Sequence, residues 1–127
     1  MLAVLVVSAC EESSGVSPTY SYRAEFNPAD VDAVVQFVRS VAERRNIRVY
    51  EKDRRQMSFL TQGKEAFFIA FYYNDNAVLD ISNVGVGEII TLGVFDHQEY
   101  SAQALYDVSE EITTGLNQQF GIQFVRK

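Results

Sequence analysis

The chain has 127 residues, of which 47% are hydrophobic and 22% are charged, and its formal net charge is -6 at pH 7. This length and composition predict a single globular domain with a core of its own. A general nucleic-acid binder is disfavoured, because such proteins present a basic surface. The lone cysteine, Cys10, excludes an intrachain disulfide and a cysteine-rich structural zinc site.

The segment that ends at this cysteine is apolar from Leu2 onward and closes with small residues. Val7, Ser8, Ala9 and Cys10 resemble the lipobox of bacterial lipoprotein signal peptides, in which an aliphatic residue and two small residues precede an obligatory cysteine. The resemblance implies cleavage before Cys10, lipidation of its thiol, and an anchor in the membrane of a bacterial cell envelope.

Residues 1–9 are accordingly predicted to be a signal peptide that lacks part of its charged opening, since no Lys or Arg precedes Arg23. The polar residues 10–18 are predicted to tether the lipid to a single α+β domain over residues 19–127. By the same resemblance, Glu11 gives no strong inner-membrane retention signal. The outer membrane is therefore favoured in a Gram-negative host, with the domain in the periplasm or at the cell surface. Alternatively, Leu2–Val7 forms a buried first strand.

The first part of the domain predicts a strand, a helix and a second strand. Residues alternate between apolar and polar over Thr19–Phe26, which is typical of a half-buried strand. Asn27 can cap a helix over Pro28–Arg45, whose valines recur at helical spacing. Ile47–Lys52 alternates less clearly but also predicts a strand.

The unbroken apolar run Ala66–Tyr73 predicts the central strand of a sheet. Strands are predicted on both sides of it, at Gln56–Thr61 and Ala77–Ser82, so the region forms an antiparallel meander. Successive side chains of a strand point to opposite faces. The residues expected on the outward face are Phe68, Ala70, Tyr72 and Asp80.

The C-terminal part predicts a second helix and a last strand. Asp96 and Glu99 resemble a capping box, which predicts that the helix begins at Asp96. Gly115 lies within its apolar stripe and is predicted to allow close approach to the sheet. Gly121 fits the end of the helix, and Ile122–Val125 is predicted to be a short strand.

These elements predict an α+β fold, a two-layer sandwich in which two helices cover one face of an antiparallel sheet. The order β-α-β, meander, α-β is ferredoxin-like in spirit. Helices on one face leave Phe68, Tyr72 and Tyr50 partly exposed on the other. The domain is therefore predicted to bind a protein partner or a second copy through this open face or through a sheet edge. Alternatively, a loop or the curvature of the sheet buries these aromatic residues.

Chemistry-bearing residues are few, so a non-enzymatic role is favoured. The single histidine, His97, supports an alternative hypothesis of a small ligand-binding or hydrolytic domain, with its pocket between His97 and the joint Gly85–Gly87. That joint lacks the third glycine and the following helix of a phosphate-binding loop, and therefore predicts a hairpin turn. No metal site, cofactor or catalytic residue is predicted.

Overall fold

The computed structural model describes residues 18–52, 65–85, 87–96 and 101–126, which form one antiparallel sheet and two α-helices. Leu2–Val7, the tether up to residue 17 and Gln56–Thr61 lie outside the described residues. A short 3-10 turn over Pro28–Asp30 precedes the first helix. The elements are β1 (Tyr20–Glu25), α1 (Val31–Arg44), β2 (Arg48–Glu51), β3 (Phe68–Tyr73), β4 (Asn76–Ser82), β5 (Ile89–Val94), α2 (Ala102–Phe120) and β6 (Val125–Arg126).

The described strands form a sheet in the order β2-β3-β4-β5-β1-β6, and each neighbouring pair is antiparallel. β5 and β6 flank β1 and are joined through α2, which gives the predicted split β-α-β arrangement. The connection through α1 is wider, because three strands separate β1 from β2. Both connections are long enough to carry a helix across the sheet.

Both helices pack on the same face of the sheet and share one hydrophobic core with it. Val34 of α1 and Ile112 of α2 are fully buried in a single cluster with Ile81 of β4 and Leu92 of β5. Ile81 and Leu92 lie directly opposite each other and therefore point to the same side. The predicted two-layer α+β fold is confirmed.

The first helix forms largely as its sequence predicts. The Asn27 side chain accepts a hydrogen bond from the Ala29 N–H at 3.0 Å, and Asn46 has the positive φ, 58°, that ends many helices. The predicted apolar stripe is buried against the sheet, which confirms the helical period of the valines. Its residues are Val31, Val34, Val35, Val38, Val41 and Ala42.

The second helix begins later than predicted, and the assignment of its start to Asp96 is wrong. Asp96 lies two residues after the end of β5, and its N–H donates to the Thr19 hydroxyl at 3.0 Å. The capping residue is instead Ser101, whose hydroxyl accepts from the Ala104 N–H at 3.3 Å. Glu99, the second member of the predicted capping box, lies outside the described residues.

Gly115 allows close approach of the two helices to each other, not of a helix to the sheet as predicted. A Cβ atom at Gly115 would collide with the ring of Phe37 in α1. Arg44 of α1 and Arg45, which follows that helix, bind a single carboxylate of α2 nearby, with Arg45 Nε 2.6 Å from Glu111 Oε1 and Arg44 on the other oxygen. Burial raises the pKa of Glu111, but the hydrogen bonds from the two arginines outweigh this and lower the pKa.

The Asn83 side chain stabilises the joint between β4 and β5 through three hydrogen bonds. Its side chain is fully buried and accepts a hydrogen bond from the Phe67 N–H at 2.8 Å. Its amide donates to the carbonyl oxygens of Glu65 at 2.7 Å and Gly87 at 3.0 Å. Gly85 and Gly87 have positive φ angles of 113° and 88°, which favour glycine. The predicted hairpin joint is confirmed.

Candidate functional site

The three aromatic residues predicted to form a binding surface lie together on the face of the sheet opposite the two described helices. Tyr50 of β2 lies directly opposite Ala70 of β3. Phe68 and Tyr72 stand two residues before and after Ala70, so all three rings project to the same side. Phe71, which lies between them in the sequence, points into the helix-covered core and is 1% exposed.

Two cations of β2 stack on the aromatic rings of β3. The Arg48 guanidinium lies 5.0 Å from the centre of the Tyr72 ring, and the Lys52 ammonium lies 5.1 Å from the centre of the Phe68 ring. Both distances are within the range of a cation–π interaction. We call Arg48, Tyr50, Lys52, Phe68 and Tyr72 the aromatic strip.

The exposure of the aromatic strip is uneven. Tyr50 is 49% exposed, whereas Phe68 and Tyr72 are partly buried. Ala70, which lies among the three rings, is only 3% exposed and forms the floor of the strip. The three rings therefore form a ridge of apolar surface with a cation near each end. Tyr50 is the most exposed of the three rings.

A partly buried carboxyl group adjoins the aromatic strip. Asp80 of β4 lies directly opposite Ala70 on one side and opposite Gly93 of β5 on the other. A Cβ atom at Gly93 would lie 3.2 Å from Asp80 Oδ1, so the absence of a side chain there makes room for the carboxyl group. Burial raises the pKa of Asp80 to about 6, although a hydrogen bond from the Gly93 backbone works to lower it.

The sequence revealed the aromatic members of the strip but not its cations. The alternation Arg48-Val-Tyr-Glu-Lys52 places Arg48, Tyr50 and Lys52 on one face, and this was the available signal. The pairing of β2 with β3 decides which aromatic ring each cation meets, and this pairing is a property of the folded sheet. Asp80 was predicted on the outward face, but its partial burial depends on Gly93.

The alternative hypothesis placed a ligand pocket near the joint Gly85–Gly87, but the hollows among the described residues are not lined by these glycines. A hollow of about 180 Å³ lies beside Tyr72 and Val78 at one end of the strip. A larger hollow of about 680 Å³ lies where β1 meets the C-terminal segment, lined by Arg23, Gln123 and others. Neither hollow includes Gly85 or Gly87. His97 lies outside the described residues, so the ligand-binding alternative stays a prediction.

The lipidation site predicted at Cys10 also lies outside the described residues and stays a prediction. Neither helix in the described ranges is long and apolar enough to cross a bilayer. Within the same ranges, no group of three or more His, Cys, Asp or Glu side chains is placed to hold a metal ion.

Comparison with known proteins adds no family to this description. No protein-family model, curated protein or solved structure matches the chain.

Proposed function

We propose that the chain is a non-enzymatic lipoprotein of the bacterial cell envelope, whose domain binds a protein partner or a second copy through the aromatic strip. The observation that carries the binding role is the exposure of Tyr50, 49%, beside two further rings on the sheet face opposite the helices. Tyrosine and arginine are enriched among the residues that dominate binding energy at interfaces. A partner that covered the strip would remove this apolar surface from water.

The position of the domain's first described residue supports an anchor on the same side as the aromatic strip. Pro18 Cβ lies 3.4 Å from the position that a Cβ atom would take at Gly93. Gly93 lies opposite Asp80, two strands away from Phe68 and Tyr72 on the same face. Pro18 is eight positions after Cys10, and a fully extended chain of that length spans roughly 29 Å. An anchored domain would therefore work close to the membrane, where an envelope partner is within reach.

Lipidation of Cys10 predicts a specific mass for the membrane-extracted protein. Expression in a bacterial host, with a positively charged segment placed before Met1 to complete the signal peptide, should give a mature product that begins at Cys10 and carries a lipid on its thiol, usually with an acyl chain on the new N-terminus. A Cys10→Ser variant should keep its signal segment and gain no lipid. Intact-mass spectrometry measures both products. An unmodified Cys10 in the membrane fraction would contradict the envelope assignment.

Replacement of Tyr50 tests the binding role of the aromatic strip. We expect Tyr50→Asp to weaken association by about tenfold or more, because truncation of a tyrosine that dominates an interface costs about 2 kcal/mol or more. Light scattering measures self-association, and a pull-down from solubilised envelope measures partner binding. Phe68→Asp and Tyr72→Asp should act in the same direction in any variant that keeps its circular dichroism spectrum.

Tyr106 offers a matched control on another surface. It is 45% exposed on α2, so Tyr106→Asp makes the same chemical change at nearly the same exposure. Association should survive this change and fail with Tyr50→Asp. Equal association of both variants and the unaltered chain would remove the strip from the proposal.

A further inference from the structure

We propose that the partner offers an extended acidic segment, which runs alongside β2 and sets its carboxylates against Arg48 and Lys52. This inference rests on the binding role proposed for the aromatic strip, and it adds the chemistry of the partner. Addition of a strand to the edge of a sheet is a common mode of peptide recognition, in which alternate side chains supply specificity. In the described part of the sheet, β2 is bonded to a neighbouring strand on one side, where β3 lies.

The spacing of the strip's cations specifies a pattern in the partner. Arg48 and Lys52 are four residues apart in an extended segment, which separates them by roughly 13 Å along the strand. An added strand has the same repeat, so two acidic residues four apart would meet the two cations. The residue midway between those acids would then lie beside Tyr50, whose exposed ring favours an apolar side chain there.

The charge of the strip distinguishes it from the rest of the molecule. The whole chain carries a net charge of -6, yet the charged members of the aromatic strip are both cations. A strand added alongside β2 would lie about three strand spacings, roughly 14 Å, from the Asp80 carboxyl group. That distance exceeds the Debye length of about 8 Å at physiological salt. Arg48 and Lys52 are only one strand away, and their long side chains, which lie over the Tyr72 and Phe68 rings, can turn toward the added strand.

The sequence disfavours a second copy as the source of this segment. Within the chain, the one pair of acidic residues four apart is Asp107 and Glu111, and Ser109 rather than an apolar residue lies between them. All three residues lie in α2, and Glu111 binds Arg44 and Arg45 at the C-terminal end of α1. The printed residues therefore contain no extended acidic segment with a central apolar residue, and the inference places that segment on a different protein.

Three synthetic peptides test this inference by fluorescence anisotropy against the full chain in detergent. They contain Glu-Thr-Val-Thr-Glu, Gln-Thr-Val-Thr-Gln or Lys-Thr-Val-Thr-Lys between identical ends. We expect the glutamate peptide to bind about fivefold to tenfold more tightly than the glutamine peptide, because each exposed ion pair adds up to about 1 kcal/mol. The lysine peptide should bind more weakly than both.

Charge reversal separates recognition from a structural effect. The double variant Arg48→Glu, Lys52→Glu should invert the order and prefer the lysine peptide, which a loss of folding cannot produce. Arg23→Glu is the matched control, because Arg23 is an exposed arginine on the same face in β1, three strands from β3. This variant should keep the preference for the glutamate peptide.

Equal binding of the three peptides, or binding of none, would overturn the acidic-segment inference. Strip-dependent binding to vesicles of phosphatidylglycerol and phosphatidylcholine, without a peptide preference, would also overturn it and assign the surface to a membrane. These results leave the proposed partner binding intact if Tyr50→Asp still abolishes the pull-down. Conversely, a pull-down that ignores Tyr50→Asp refutes the proposed function whatever the peptides do.

Discussion

An Asn83→Ala variant is expected to lose about 3 to 5 kcal/mol of its free energy of unfolding. The Asn83 side chain is fully buried and satisfies three backbone groups, the Phe67 N–H and the carbonyl oxygens of Glu65 and Gly87. Alanine removes all three hydrogen bonds and has no atoms to replace them. Each buried polar group left without a partner costs about 1 to 3 kcal/mol. Urea unfolding followed by circular dichroism measures the loss.

Two companion variants make this result interpretable. Asn117→Ala removes one hydrogen bond, from Asn117 Nδ2 to the Ile122 carbonyl at 3.2 Å, and should cost only about 1 kcal/mol. Asn83→Asp keeps the acceptor for Phe67 but sets a carboxylate against two carbonyl oxygens. Its destabilisation should shrink at low pH, where the protonated acid can donate one hydrogen bond. A loss at Asn83 no larger than the loss at Asn117 would contradict the assigned role.

Local patterns predicted those features of the fold that depend on one segment and its burial. The valines of α1 recur with a helical period because one face of that helix meets the sheet, and Val34 and Val38 are fully buried as a result. Alternation in β3 likewise separated Phe71, which is buried in the core, from Tyr72, which lies on the other face. Both patterns agree with the structure, because each one shows which side of a single element faces the core.

Features that depend on contacts between distant segments were predicted less well. Asp96 and Ser101 are both acceptable helix caps, but the folded chain uses Ser101, and the Asp96 N–H donates to Thr19 beside β1. Gly115 was recognised as a site of close approach, but the packing of α2 on α1 made Phe37 the neighbour. The sequence near Asp96 does not indicate Thr19 as its partner, and the sequence near Gly115 does not indicate Phe37.

The aromatic strip was likewise predicted only in part: its aromatic residues were predicted and its cations were not. Alternation predicted Tyr50, Phe68 and Tyr72 on one face, because successive side chains of a strand point to opposite faces. That face was expected to be open because an antiparallel sheet can have one face covered by helices and the other in contact with water. The register between β2 and β3 then determined that Arg48 and Lys52 would cover two of the rings. Register arises from the whole sheet, so the cationic character of the strip became visible only in the folded molecule.

Asp80→Asn is expected to raise the free energy of unfolding at about pH 8 and to leave it nearly unchanged at about pH 4. Burial raises the pKa of Asp80 from its ordinary 3.8 to about 6 in the folded protein. The folded state therefore holds this proton more tightly than the unfolded chain does. The resulting stability is fully present below the unfolded pKa and is lost as the pH rises through the folded pKa of about 6.

The expected gain at about pH 8 is roughly 3 kcal/mol, because each tenfold difference in proton affinity is worth about 1.4 kcal/mol. Asparagine keeps the shape of the side chain and an acceptor for the Gly93 backbone but carries no charge at any pH. Urea unfolding of both proteins across this pH range measures the difference. Asp75→Asn, at an exposed position of the turn between β3 and β4, controls for the change in net charge. A stability difference at Asp80 that does not change with pH would show that its carboxyl group is fully hydrated in the folded protein.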